Sequence, residues 1–371
     1  MTLPIVHVIT SPSFINFVAS VFEEVALGGN AIAAVNVSAR ELSVPNTARV
    51  ESFTSAGPDL ARLQELILES RVAIFHNVSP GIAKVLAHAP PSVLRVWSGW
   101  GGDYYGSTFD SNARLLGPRT RRLVNSTVRP TFWAGRAVHA LRYQPKLQAA
   151  ARSTDVFSAP VPTDLHVFQN RFAGFGGRYS QLNYVSVEDS IASGGDRAVG
   201  PDILVGNSAA PANNHVEVFE LLARSNLTGR RVFVPLSYGN PFYAALVRRA
   251  GHELLGDRFV PITEFLPLKE YNELLAQCGI VMMGSQRQMA LGNILRAVWQ
   301  GAHVALDPRN PIFEYLRDRG ATVMLLDDIA ANGLPTEAVS AARVEMNRAF
   351  LDEYWSRRVA IHNARALIDL V

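Results

Sequence analysis

The residues with the clearest chemistry sit at the ends of apolar runs. WSGWGGDYYG (97–106) closes a run of strand-forming residues with a glycine turn that carries one carboxylate, Asp103, among Trp100, Tyr104 and Tyr105. Glycines let a ligand approach the backbone, aromatic rings suit the apolar faces of a ring-shaped polyol, and a carboxylate can take a proton from an attacking hydroxyl. The competing expectation for Asp103 is the N-cap of a following helix. His76 in FHNVSP and His7 in VHVIT are the alternative bases, although a lone histidine in a strand is more often structural. Farther on, ILVGNSAAPANNHVEVFELL (203–222) ends a strand at Gly206 and opens a helix near Asn213 and Asn214, with His215 in the first turn. Gly206, Asn207 and Ser208 form a turn of small residues at a helix start, where free N–H groups favour an anion. An ordinary capped strand–helix turn, with Asn213 or Asn214 as the cap, has the same composition.

The pattern returns twice. VFVPLSYGNPFYAALV (232–247) places Ser237, Tyr238 and Gly239 after a strand. MMGSQRQMALGNILRAVWQG (282–301) places Gly284, Ser285, Gln286, Arg287 and Gln288 after another, with Gly292 and Asn293 early in a helix. The Arg287 guanidinium is a planar fork suited to two diphosphate oxygens. A helical glycine such as Gly292 weakens its helix by about 1 kcal/mol against alanine, so it implies close approach of a ligand or of another backbone. The Asn293 amide suits a sugar hydroxyl or amide.

These residues have to be positioned by strand–helix alternation, and the chain shows two series of it. IVHVIT (5–10), 31–37, 50–53, VAIFHNV (72–78) and VLRVWSGW (93–100) read as strands between helical stretches, with DVFSAPV (155–161) and GRYSQLNYVSV (177–187) closing the series. SIASGGDRAVGPD (190–202) reads as a boundary, and a second series runs from 202 to TVMLLDD (322–328). The expectation is an α/β protein of two Rossmann-like domains, 1–190 and 200–337, facing each other across a cleft. A long last helix (338–371) crosses back to the first. At 371 residues the length suits two domains.

Between Asp110 and Asp155 there is no acidic residue but nine basic ones: Arg114, Arg119, Arg121, Arg122, Arg129, Arg136, Arg142, Lys146 and Arg152. Phe132, Trp133 and Tyr143 lie among them. Pro118, Pro130 and Pro145 should divide this stretch into two or three short helices. Basic and aromatic residues together suit an anionic lipid surface or a lipid-diphosphate substrate, so 111–152 is expected to dock on a membrane. No nucleic-acid motif accompanies it. The N-terminus lacks the pattern of a signal peptide, and no run approaches the ~18 apolar residues of a membrane span. One cysteine, Cys278, leaves no internal disulfide, and the nine scattered histidines have no metal-ligand spacing. No metal and no cofactor are expected, and the compartment expected is the cytoplasm.

WGGD (100–103), then ILVGNSA…NNH, VPLSYGN, ITEFLPLKEYN and RQMALGNIL, in this order, resemble the TDP-N-acetylfucosamine:lipid II N-acetylfucosaminyltransferase family. This is the 4-acetamido-4,6-dideoxygalactosyltransferase family, glycosyltransferase family 56. The likeness is dense over 203–320 and thin before it. It implies a GT-B fold, a dTDP-sugar as co-substrate, a polyprenyl-diphosphate-linked or glycan acceptor, and peripheral attachment to the cytoplasmic face of the bacterial inner membrane. Donor contacts are implied at Gly206, Asn207, Ser208, Asn214, Ser237, Tyr238, Arg287, Gln288, Gly292 and Asn293. Glu264, Phe265 and Leu266 in ITEFLPLKEYN would lie beside the nucleoside, unless Phe265 and Leu266 are strand-end core. Trp100, Tyr104 and His76 would meet the acceptor, with Asp103 as base. A sugar-nucleotide 2-epimerase and a non-enzymatic sugar-nucleotide sensor are the competing readings of the same architecture.

Overall fold

The computed structural model describes residues 4–12, 14–38, 42–54, 58–105, 112–127, 130–192 and 200–371. Gly106, Arg129 and the boundary loop at 193–199 lie outside them, as do the side chains of Phe132, Trp133 and Arg136. The chain forms two compact units. One comprises Met1–Thr108, Trp133–Ser186 and Trp355–Val371, the other Phe109–Phe132 and Val187–Tyr354.

The first unit runs β1 (Ile5–Ile9), α1 (Ile15–Val25), β2 (Asn30–Val35), β3 (Arg49–Phe53), α2 (Pro58–Leu68), β4 (Val72–His76), α3 (Pro80–His88) and β5 (Leu94–Ser98). The chain then contributes α4 (Asn112–Leu115) and α5 (Pro118–Thr127) to the second unit. It returns along α6 (Pro130–Ser153), followed by β6 (Val156–Ser158), α7 (Asp164–Arg171) and β7 (Arg178–Tyr179). All strand pairs are parallel, in the order β3-β2-β1-β4-β5-β6-β7. Every residue of β1 and β4 is buried. Runs of this kind, apolar but for His7 and His76, belong to strands covered on both faces, hence to parallel sheets.

The second unit repeats the plan. Its elements are β8 (Ile203–Val205), α8 (His215–Ala223), β9 (Val232–Pro235), α9 (Pro241–Leu255), β10 (Phe259–Ile262), α10 (Leu268–Ala276), β11 (Ile280–Met283), α11 (Leu291–Gln300), β12 (His303–Leu306), α12 (Pro311–Arg317), β13 (Met324–Leu325), α13 (Leu326–Asn332) and α14 (Ala341–Trp355). Its parallel sheet has the order β10-β9-β8-β11-β12-β13. In each sheet the strand order reverses once, between β1 and β4 in the first and between β8 and β11 in the second. Open parallel sheets take ligands beyond the carboxyl ends of the strands at that reversal.

Three expectations from the sequence are corrected. First, Pro118 and Pro130 divide the basic stretch as expected, into α4, α5 and α6, but Pro145 does not: α6 runs as one helix of 24 residues through it. The proline ring faces solvent, while Leu147, Ala150 and Ala151 bury in the first core. That packing outweighs a local penalty of about 3 kcal/mol. Second, α4 and α5 belong to the second unit, not the first, so the basic stretch is not one surface of one domain. Glu217 on α8 explains this: its carboxylate accepts the Arg119 N–H (2.8 Å), the Thr120 N–H (3.0 Å) and the Thr120 hydroxyl (2.5 Å). Arg119 also pairs with Glu220 (3.2 Å), and Leu116 and Val124 bury in the second core. Third, the C-terminal helix is two helices, α14 and α15 (Arg357–Ile368), separated by the extended Ser356. α14 is held in the second unit through Asn347, which accepts the Thr322 N–H and donates to the Val298 carbonyl. α15 packs on α1 in the first, where Arg357 pairs with Glu24 (2.6 Å).

Candidate functional site

In the second unit the three turns singled out in the sequence follow β9, β8 and β11, which are adjacent strands. The β8 and β11 turns flank the reversal. Gly206 holds φ +67°, and a Cβ there would meet His215 Nε2 at 2.8 Å and Asn213 Oδ1 at 3.2 Å. Both of those atoms are buried without a hydrogen-bond partner. The Asn213 amide is oriented by its nitrogen, which donates to the Ser208 carbonyl (2.8 Å) and hydroxyl (3.2 Å). His215 Nδ1 lies 3.2 Å from the Tyr243 hydroxyl, and burial pushes the ring's pKa down to about 3, so it is neutral at physiological pH. Buried polar atoms are almost always satisfied, so two such orphans beside a left-handed glycine at a strand-order reversal are what a ligand site leaves behind. Asn207, one residue on, donates to the Tyr238 hydroxyl (2.8 Å), and its own oxygen is also buried and unpartnered.

The helices that start here differ from their neighbours. The N-cap positions of α8 and α11 are Asn214 (φ +51°) and Ala290 (φ +59°), both left-handed, and neither helix has a side-chain cap. The helices after the flanking strands β9 and β12 are capped, α9 by Asn240 and α12 by Asn310. A left-handed alanine costs of order 1 kcal/mol, and such strain concentrates at ligand sites. The first turn of α11 therefore presents N–H groups that no side chain covers, a fit for an anion.

The glycines separate into two kinds. At Gly284 a Cβ would lie 2.8 Å from the Asn213 carbonyl, and at Gly239 it would lie 2.8 Å from the Ala209 carbonyl, so both serve the protein's own close packing. At Gly292, in the first turn of α11, nothing described lies within 4 Å of a Cβ. Tight helix–sheet packing, one of the two motives the sequence allowed, is absent there. Beside it the Asn293 amide donates to the Tyr271 hydroxyl (2.9 Å), and half-buried Arg287 donates from Nη1 to the Gln288 carbonyl (3.3 Å). Ser285 and Gln288 are buried, and Asn310 donates to the Ser285 carbonyl (2.9 Å) and hydroxyl (3.1 Å). Asn310 is a member of this shell that the sequence did not reveal, because its partners lie 25 residues away.

Asn214 is not available to a ligand as expected. Its amide nitrogen donates to the Leu115 (3.0 Å) and Gly284 (2.8 Å) carbonyls, and its oxygen accepts the Gly117 N–H (2.9 Å). It ties α4 and α5 to the site rather than lining it. Ser237 is half-buried, and Tyr238 is exposed beside it. Glu264 is exposed, Leu266 half-buried, and Phe265 is 81% exposed, which removes strand-end core as the account of Phe265. These three follow β10, at the edge of the sheet and two strands from β8.

In the first unit Asp103 is 7% exposed and fully engaged. Oδ2 accepts the Trp97 indole N–H (2.7 Å) and the Val78 N–H (3.2 Å), and Oδ1 accepts the Trp100 N–H (3.1 Å). Burial raises its pKa while these donors lower it. The expectation of a carboxylate free to take a proton is not met, and it is no helix cap either. Asp103 joins the ends of β4 and β5 and fixes the turn that carries Trp100. Tyr104 is likewise not an acceptor contact. It is fully buried, its hydroxyl donates to Asp164 (2.7 Å), and its ring packs on Phe157 (5.2 Å). Trp100 and His76 do come together, their ring centres 6.1 Å apart. Phe14 and Tyr184, which the sequence did not single out, pack against Trp100 at 5.3 and 6.3 Å.

Residues 181–353 match the family model described as 4-alpha-L-fucosyltransferase, glycosyl transferase group 56. Among solved structures the chain is similar to Anabaena HepE in complex with UDP and glucose, with a TM-score of 0.67 at 14% identity over all of both chains. It is also similar to a glycosyltransferase from Rickettsia africae ESF-5 (0.63, 10%, all of both chains). A third likeness is to an E. coli trehalose-6-phosphate protein bound with UDP-2-fluoro glucose (0.62, 10%, covering 99% of this chain and 98% of that one). The fold is therefore that of the GT-B glycosyltransferases, and the chain is a glycosyltransferase whose group 56 signature spans 181–353.

Proposed function

We propose that this glycosyltransferase moves an amino-deoxy sugar of the N-acetylfucosamine type from a dTDP-sugar to a polyprenyl-diphosphate-linked or polysaccharide acceptor in bacterial surface-glycan synthesis. The observation that carries the donor half is the start of α11: a helix N-terminus without a side-chain cap, at the strand-order reversal, with open space at Gly292. The diphosphate lies against that first turn, with Arg287 supplying positive charge and the neighbouring N–H groups of Asn207 and Ser208 reaching the same anion. Asn293 and the orphaned Asn213 and His215 atoms meet hydroxyl and amide groups of the sugar. Exposed Phe265 and Tyr238 offer ring faces to the nucleoside base. HepE, which has the same fold, was solved with UDP-glucose, which supports a nucleoside-diphosphate sugar as the donor class.

No helix among the described residues is long and apolar enough to cross a membrane. α5 carries exposed Arg121 and Arg122, and α6 exposes Val138, Leu141 and Arg142. Attachment to the cytoplasmic face of the inner membrane through these residues brings the enzyme to a lipid-linked acceptor.

Thermal-shift measurements against dTDP, UDP, GDP and CMP test the donor assignment. Stabilisation is expected to be largest with dTDP, and a preference for GDP overturns it.

A further inference from the structure

The chemistry left unused lies at the reversal in the first sheet, between β1 and β4. His7 in β1 and His76 at the end of β4 are both buried, and His7 Nδ1 lies 3.1 Å from His76 Nε2. On its other side, His7 Nε2 lies 3.4 Å from Asn30 Oδ1. The Asn30 amide nitrogen is oriented by two acceptors, Glu23 Oε1 (2.7 Å) and the Ala26 carbonyl (2.9 Å), so its oxygen must face His7. Glu23 in turn accepts from the Thr47 hydroxyl (2.7 Å) and the Gly28 N–H (3.0 Å). Burial holds both imidazoles well below their usual pKa, that of His7 at about 4, so each carries one proton at neutral pH.

The positions of those protons follow. Asn30 Oδ1 only accepts, so His7 is protonated on Nε2, and its Nδ1 is a lone pair. That lone pair needs a donor, so His76 is protonated on Nε2. His76 Nδ1 is left as a lone pair, and it is buried without a partner. The Trp100 indole N–H, on the ring 6.1 Å away, is also buried without a partner. One is an acceptor and the other can only donate. A hydroxyl satisfies both at once.

We propose that His76 Nδ1 is the general base of the sugar transfer. The chain Glu23–Asn30–His7 sets its tautomer, and the Trp100 indole N–H holds the same acceptor oxygen. This rests on the transferase reading above. The acceptor hydroxyl gives its proton to His76 Nδ1, and its oxygen forms the bond to the anomeric carbon of the donor sugar. The bond from that carbon to the diphosphate oxygen breaks, and its electron pair leaves with the nucleoside diphosphate. The resulting imidazolium donates from Nε2 to His7 and returns its extra proton to water when product leaves. His76 is the catalytic residue here; His7, Asn30 and Glu23 are positioning residues.

Nitrogen-15 NMR of the whole protein, labelled at histidine, reads the tautomers directly, and His7 and His76 are both expected as Nε2–H forms. A proton on His76 Nδ1 overturns the proposal, whatever the variants do. His76→Gln is expected to lower kcat by about 10²–10⁴-fold while its thermal shift with dTDP stays that of the wild type. Asn30→Leu, which removes the acceptor facing His7 Nε2, should lose both the wild-type tautomers and most of kcat. If wild-type protein transfers sugar and folded His76→Gln does so at the same kcat, this proposal fails and the transferase reading stands. If the wild type transfers from no dTDP-, UDP-, GDP- or CMP-sugar, the function reading itself fails.

Discussion

Gly292→Ala separates a ligand site from ordinary packing because the two predict opposite results. Gly292 is the second residue of α11, its φ lies outside the left-handed region, and nothing described stands within 4 Å of the added Cβ. The folded protein therefore accommodates the methyl group without strain, and the helix gains up to about 1 kcal/mol of propensity. For a unit of this size that raises Tm by about 2–4 °C. If the donor diphosphate lies against the first turn of α11, the same methyl occupies its place. The Kd for dTDP, measured by calorimetry, should then rise at least tenfold, a loss of about 1.4 kcal/mol. The variant would be more stable and worse at binding. Gly284→Ala is the contrast: its Cβ would sit 2.8 Å from the Asn213 carbonyl, so it should lower Tm. A Gly292→Ala protein with raised Tm and unchanged dTDP affinity would refute the placement of the diphosphate.

Acid should destabilise the protein in a defined window. His7 folds with a pKa of about 4 against 6.5 unfolded, His215 with about 3, and His76 also falls. The unfolded chain binds more protons between those values, so stability is complete above pH 6.5 and is lost as pH falls below it. His7 alone accounts for about 3 kcal/mol by pH 4; a melting temperature that is flat from pH 7.5 to 4.5 contradicts this. Asp103→Asn leaves at least one of the Val78, Trp97 and Trp100 N–H donors without an acceptor. It should cost about 1–3 kcal/mol in urea unfolding without moving dTDP affinity, and unaltered stability would show that the turn does not depend on this carboxylate. Charge reversal at Arg121 and Arg122, together with Leu141→Glu, should release the protein from anionic vesicles; unchanged co-sedimentation sinks the membrane assignment.

The sequence was most informative where local chemistry decides the outcome. Glycine at 206 and 284, the polar runs after 205, 235 and 283, and the largely apolar strands are consequences of backbone sterics and burial, and each can be read within a few residues. The alternation they punctuate leads to two parallel sheets, and the ordered motifs of 203–320 lead to the family that 181–353 matches. Tertiary structure decided which polar groups remain free, because that depends on partners distant in the chain. Asp103 looked available until Trp97 and Val78 were found bonded to it, and Asn214 until Gly117 and Gly284 were. His7 and His76, 69 residues apart, meet only because β1 and β4 pair at the strand-order reversal. Pro145 breaks a helix in a peptide but not in α6, where buried Leu147 and Ala150 outweigh it. A residue's type fixes what it can donate or accept; only the fold determines whether that capacity is already spent.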